Sequence, residues 1–140
     1  MNRAFARTAC RAALVVLAVL LFGGCAKNTP IYNIQDSPVP YTISLESMES
    51  CILDAGKLQG WKMTQIKPGL IEGVNRIAGG RHVAEVSIPY TATHYSILYK
   101  SSVNLKESNG RIHRTYNSLV RKLETSILNN IKAEANLSKQ

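Results

Sequence analysis

The stretch "HVAEVSIPYTATHYSILYKSSV", His82 to Val103, decides the fold. His82, Ala84, Val86, Ile88 and Tyr90 alternate with Val83, Glu85, Ser87 and Pro89. A period of two gives a strand one apolar face. Thr91-Ala92-Thr93 turns the chain, and Tyr95, Ile97, Tyr99, Ser101 and Val103 take up the alternation again. Two such runs joined by a short turn predict an antiparallel pair. Pro89 has no N–H to give to a ladder, so it belongs at a strand end or on an edge.

Working outward, Trp61 to Ile66 and Leu70 to Arg76 flank Lys67-Pro68-Gly69, a strong turn signal. Ile77-Ala78-Gly79-Gly80 is a second turn leading into the quoted stretch. Upstream, Leu45, Met48, Cys51, Ile52 and Ala55 recur at spacings of three and four, with Ser44 placed to cap the helix and Gly60 to end it. Downstream, Ser108-Asn109-Gly110 turns the chain. Tyr116, Leu119, Val120, Leu123, Ile127 and Ile131 then form a helical stripe from about residue 114 to 133. The predicted order is α-β-β-β-β-α. The expected fold is α+β, one antiparallel four-stranded sheet packed by two helices, over residues 41–135 with a polar tail at 136–140. A domain of this size carries one modest core.

The amino terminus sets an address. Arg3, Arg7 and Arg11 precede or open an apolar run from Ala12 to Phe22, with no acidic residue before Asp36. A helix of that run rises about 16 Å, roughly half a hydrocarbon core, too short for a simple span. A basic start, a short apolar middle and small residues after it describe a secretory signal. Leu21-Phe22-Gly23-Gly24-Cys25 resembles the lipobox of bacterial lipoproteins. There the small residues admit the peptidase, and the cysteine thiol forms a thioether with diacylglycerol. Residues 1–24 are expected to be removed, Cys25 to carry fatty chains such as palmitate, and residues 25–40 to form a lipidated tether. Pro30, Pro38 and Pro40 disfavour regular structure in that tether. Ala26, not Asp, follows the cysteine, which points to the outer membrane, facing the periplasm.

The whole chain has a formal charge of +8. Three arginines and no acid lie in 1–24, which leaves 14 basic and 9 acidic residues and a charge of +5. The remaining bases, among them Lys100, Lys106, Arg111, Arg114, Arg121, Lys122 and Lys132, form no block. They read as a solvated surface with weak attraction to anionic polymers or head groups, and no nucleic-acid signature is present. With Cys10 removed and Cys25 acylated, Cys51 stands alone and reads as a small buried thiol.

No catalytic motif emerges. His82, His94 and His113 make no helical pair of metal-ligand spacing. No HExxH, CxxC, Gly-x-Ser-x-Gly or phosphate-loop pattern occurs. The expected protein has no catalytic residue, metal or cofactor. Tyr90, Tyr95, Tyr99 and Tyr116 either make cross-strand and helix contacts or line a sheet–helix groove for a small amphiphile. Together with His113 and Asn117, at the start of the last helix, they form the candidate binding surface, and His113 and Asn117 also suit a structural lock.

The series Pro30-Ile31-Tyr32-Asn33, Gly60-Trp61, Lys67-Pro68-Gly69-Leu70-Ile71 and His82-x-Ala84-x-Val86-x-Ile88-Pro89-Tyr90 continues through several later motifs. These are Tyr95-Ser96-Ile97-x-Tyr99, Ser102-x-Asn104-Leu105 and Ile112-His113-x-x-Tyr116-Asn117. As a set, covering about residues 30 to 131, it resembles a family of small uncharacterised proteobacterial lipoproteins. The resemblance implies an envelope lipoprotein with an α+β domain and transfers no catalytic residue. Where such proteins often carry Trp in the last helix, this chain has Leu119. The expected function is a lipid-anchored, non-enzymatic accessory that binds another envelope component, a protein in the first instance. A module for a small amphiphile or lipid is the alternative.

Overall fold

A computed structural model describes residues 28–139. The expected signal segment 1–24 and the expected lipidation site Cys25 lie outside the described residues. The order is β1 (Asn28–Pro30), β2 (Ile34–Pro38), α1 (Leu45–Leu58), β3 (Trp61–Lys67) and β4 (Leu70–Ile77), then β5 (His82–Pro89), β6 (His94–Val103), β7 (Arg111–His113) and α2 (Arg114–Leu137). The fold is α+β, and no helix among these residues is long and apolar enough to cross a membrane.

Strands β3 to β6 form the meander that the turns require. Pro68 and Gly69 make the β3–β4 turn, with Gly69 at φ +83, a backbone that costs glycine little. Pro89 closes β5 at its end, opposite Leu70. The β6 alternation does not run through, however. Val86 pairs with Tyr99 but Glu85 pairs with Ser101, so Lys100 is an extra residue in a β-bulge. Ser102, not Ser101, therefore turns inward beside Tyr99, whose hydroxyl meets Ser102 Oγ at 3.0 Å. Val103, expected on the apolar face, is exposed.

The sheet has five strands, not four, in the antiparallel order β2-β6-β5-β4-β3. The fifth comes from the segment expected to be a tether. Prolines break a ladder only where an N–H is needed, and Pro30 and Pro38 stand at strand ends on edges. Ile34 supplies the inward apolar residue and is buried. Asn28–Pro30 also pairs with β7 in a separate two-stranded ribbon. At the other end, α2 continues to Leu137, beyond the expected boundary and into the predicted polar tail.

Both helices pack one face of the sheet. Met48, Ile52 and Ala55 of α1 and Tyr116, Val120, Leu123, Ile127 and Ile131 of α2 are fully buried against Ile71, Val86, Ile88 and Ile97. Leu45 begins the α1 stripe in sequence but lies at its rim, 38% exposed. Ser44 caps α1 as expected, its Oγ accepting from the Ser47 N–H at 3.0 Å. The helices run antiparallel, cross-tied by Ser47 Oγ to Glu134 (2.8 Å), Asn130 Nδ2 to the Cys51 carbonyl (3.1 Å) and Gln59 Nε2 to Ser126 Oγ (2.7 Å). Among the described residues, the opposite sheet face carries no helix. There Lys100 pairs with Glu72 at 2.6 Å, and Glu85 accepts from Ser101 Oγ.

Two glycines make room for Met63. A Cβ on Gly56 would overlap the Met63 side chain, and one on Gly73 would lie 2.9 Å from Met63 Sδ. Alanine in place of a helical glycine ordinarily gains about 1 kcal/mol, whereas overpacking costs about 1–3 kcal/mol. Gly56→Ala is therefore expected to lower the melting temperature in the parent chain and to raise it in a Met63→Ala background. A thermal-melt double-mutant cycle measures this. A gain in both backgrounds would mean that Met63 moves aside freely.

Candidate functional site

The tyrosine face is core, the first of the two arrangements expected for it, and not a groove. Tyr90, Tyr95 and Tyr116 are 4%, 1% and 0% exposed. Tyr99 is half-buried and packs edge-on against Tyr116 with ring centroids 5.4 Å apart. Met48, Ile52, Trp61, Val86 and Leu123 fill the space between sheet and helices, with Leu119 half-buried beside them. The cleft that an amphiphile would need is occupied by the protein's own side chains. The α2 stripe causes this, because its Tyr116, Val120 and Leu123 lie directly over the sheet.

This burial has a price in alkali. Burial, then Glu134 and Asp54 nearby, pushes the Cys51 thiol up to about 11. Burial pushes the Tyr95 phenol up to about 12. The Tyr116 phenol is raised as well, by burial first and by the neighbouring Tyr99 second. In the unfolded chain these groups ionise near 9 and 10, whereas the folded chain keeps them neutral. The unfolded state then binds fewer protons, so the stability that they contribute is whole below pH 9 and is lost as pH rises toward 12. Denaturant melts across that window are expected to show the fall, and Tyr116→Phe should make it shallower. A flat profile would mean that these groups are not shielded.

His113 and Asn117 act as the lock. His113 caps α2, its Nδ1 lying 3.3 Å from the Thr115 N–H and 2.9 Å from Thr115 Oγ1. Asn117, one turn into the helix, binds the incoming chain three times. Its Nδ2 donates to Thr29 Oγ1 (2.9 Å) and to the Pro30 carbonyl (2.8 Å), and its Oδ1 accepts from the Tyr32 N–H (2.9 Å). Tyr32 adds a hydroxyl bond to Glu124 (3.1 Å) and lies under the Arg121 guanidinium, 3.8 Å from its ring centroid. Asn33 Oδ1 accepts from the Tyr99 N–H at 2.8 Å. The Pro-Ile-Tyr-Asn stretch is thus a strap fastened to α2 and β6.

A groove opens where α1 stops and α2 continues. It encloses about 1050 Å³ between the strap, the end of α1 at Leu58 and Gln59, and the outer face of α2. Arg114, Arg121 and Lys122 line it and no acid does. Among the described residues, no carboxylate comes within 4.0 Å of any of the three. In sequence these bases look scattered, yet their spacing of seven and eight residues sets them on one helical face. That spacing was the available signal. A smaller groove of about 420 Å³ lies at the far end of the helix pair and has the opposite sign, lined by Glu46, Asp54 and Glu134 with no base.

The histidines do not converge. His82 Nδ1 contacts the Asn104 carbonyl, His94 Nδ1 contacts Thr93 Oγ1, and His113 caps its helix. No group of His, Cys, Asp and Glu in metal-holding geometry occurs among the described residues. The arrangement offers cationic donors for an anion, an open sheet face and an open sheet edge. Compared with models of protein families, with curated proteins and with solved structures, the chain matches none of them.

Proposed function

We propose that the protein is a lipid-anchored lipoprotein of the bacterial envelope, held at the outer membrane on its periplasmic side. In this reading its domain is a non-enzymatic interaction module for another envelope protein. The observation that carries the reading is Leu21-Phe22-Gly23-Gly24-Cys25 standing just ahead of β1. The resemblance to small proteobacterial lipoproteins supports it. An acylated cysteine holds a protein stably, because each buried methylene contributes about 0.8 kcal/mol and two or more chains are attached.

The surface left for a partner is the side of the sheet without helices, together with β3. That strand pairs only with β4 among the described residues and exposes Lys62, Thr64, Gln65 and Ile66. An unpaired edge accepts an added strand. A photo-crosslinker at position 64 in intact cells tests this. A discrete adduct with one envelope protein, absent with the crosslinker at position 50 on α1, is the expected result. Adducts no different between the two positions would defeat the partner reading.

A further inference from the structure

We propose that the Arg114–Arg121–Lys122 groove seats the domain on the anionic head groups of the membrane that holds its anchor, so that the domain lies on the bilayer rather than hanging below it. The inference rests on Cys25 being the lipid-bearing residue and adds an orientation to it.

Three observations meet here. Asn28 is already fixed in the fold, through β1–β7 pairing, its Nδ2 bond to the Lys106 carbonyl (2.9 Å) and the Arg111 Nη2 bond to its own carbonyl (2.7 Å). Only three Cα–Cα steps separate it from Cys25, a reach of about 11 Å at most. The groove begins at Thr29 and Pro30, so the attachment point and the groove share one end of the molecule. Finally, the two ends of the helix pair differ in charge, through residues of both helices. The groove beside the strap is lined by bases alone among charged residues, and the far groove by Glu46, Asp54 and Glu134 without a base.

An anionic surface attracts the first end and repels the second. Each Lys or Arg near such a surface contributes about 1 kcal/mol, roughly fivefold in the docked-to-free ratio, within a Debye length. Arg121 is held in place over Tyr32, while Arg114 and Lys122 are exposed and can turn toward phosphates. The exposed Leu58 at the rim offers an apolar contact at the depth of the head groups.

The test uses the full acylated protein in vesicles of phosphatidylcholine, with or without phosphatidylglycerol. A fluorophore is placed through Ser118→Cys in the groove or Ser50→Cys beside the acidic one, and the vesicles carry a lipid-borne quencher. Cys51 is buried but lines the acidic groove, so it is replaced by alanine in the labelled chains. Quenching at position 118 should rise several-fold with phosphatidylglycerol, fall in high salt, and fall again in Arg114→Glu/Lys122→Glu. Both of these side chains are exposed, and circular dichroism checks that the double variant folds. Position 50 should stay unquenched throughout. Equal quenching at both positions, or no response to phosphatidylglycerol, overturns the inference. So does a response at position 118 to millimolar inorganic phosphate on phosphatidylcholine alone, which would make the groove a site for a small soluble anion. Intact mass separates the two readings. A protein without acyl chains that fails to stay on phosphatidylcholine defeats the anchor, whereas an acylated protein with no preference for position 118 defeats only the orientation.

Discussion

Cys25→Ser is expected to abolish lipid attachment completely and to leave residues 1–24 on the chain. A serine hydroxyl does not form the thioether, and the peptidase of lipoprotein maturation acts after that bond is made. The apolar run that remains, Ala12 to Phe22, is too short to span a bilayer. The variant should therefore lose incorporation of labelled palmitate entirely, while its circular dichroism stays that of the folded domain. Intact-mass analysis gives the sharpest reading. The parent should be lighter by the signal and heavier by its acyl groups, and the variant neither. A parent with residue 25 bare and its first residues still attached would end the lipoprotein reading.

Asn117→Ala should cost about 3 kcal/mol, since it removes three hydrogen bonds of about 1 kcal/mol each. The loss should concentrate in the strap, because Thr29, Pro30 and Tyr32 are all held by this one side chain. Urea melts read the total. Amide exchange at Tyr32, whose N–H loses its acceptor, reads the location. Ser118→Ala, at the exposed neighbouring position, should change stability little. A loss below about 1 kcal/mol for Asn117→Ala would mean that β1–β7 and β2–β6 pairing hold the strap unaided.

The meander was legible because its information is local. Alternation at His82–Tyr90, Pro-Gly between β3 and β4, and helical spacing around Met48 and Leu123 each report on neighbours in the chain. The strap was not, because nothing near Ile34 says that β6, some sixty residues on, has an edge to accept it. The bulge at Lys100 was equally hidden, since it exists only as a difference between two paired strands. Tyr95 and Tyr99 were placed on one strand and Tyr116 on the last helix, as found. Whether such rings line a groove or fill a core depends on how closely a helix lies over them, and only the packing of α2 decides that. The basic groove failed for a related reason. Arg114, Arg121 and Lys122 are apart in sequence and adjacent in space, and their significance comes from α1 ending early beside them.

The pairing of Asn28 with His113 sets an order of events. If the chain is exported as proposed, the first stretch of its domain to emerge has its partners in the last, so it stays unpaired until Arg111 to Asn117 have followed. In the proposed lipoprotein, processing at Cys25 would come while Asn28 to Pro30 are still without their partners in β7. Closing a loop of more than eighty residues is slow in comparison with local hairpins, and in the proposed lipoprotein that delay is the interval left for maturation.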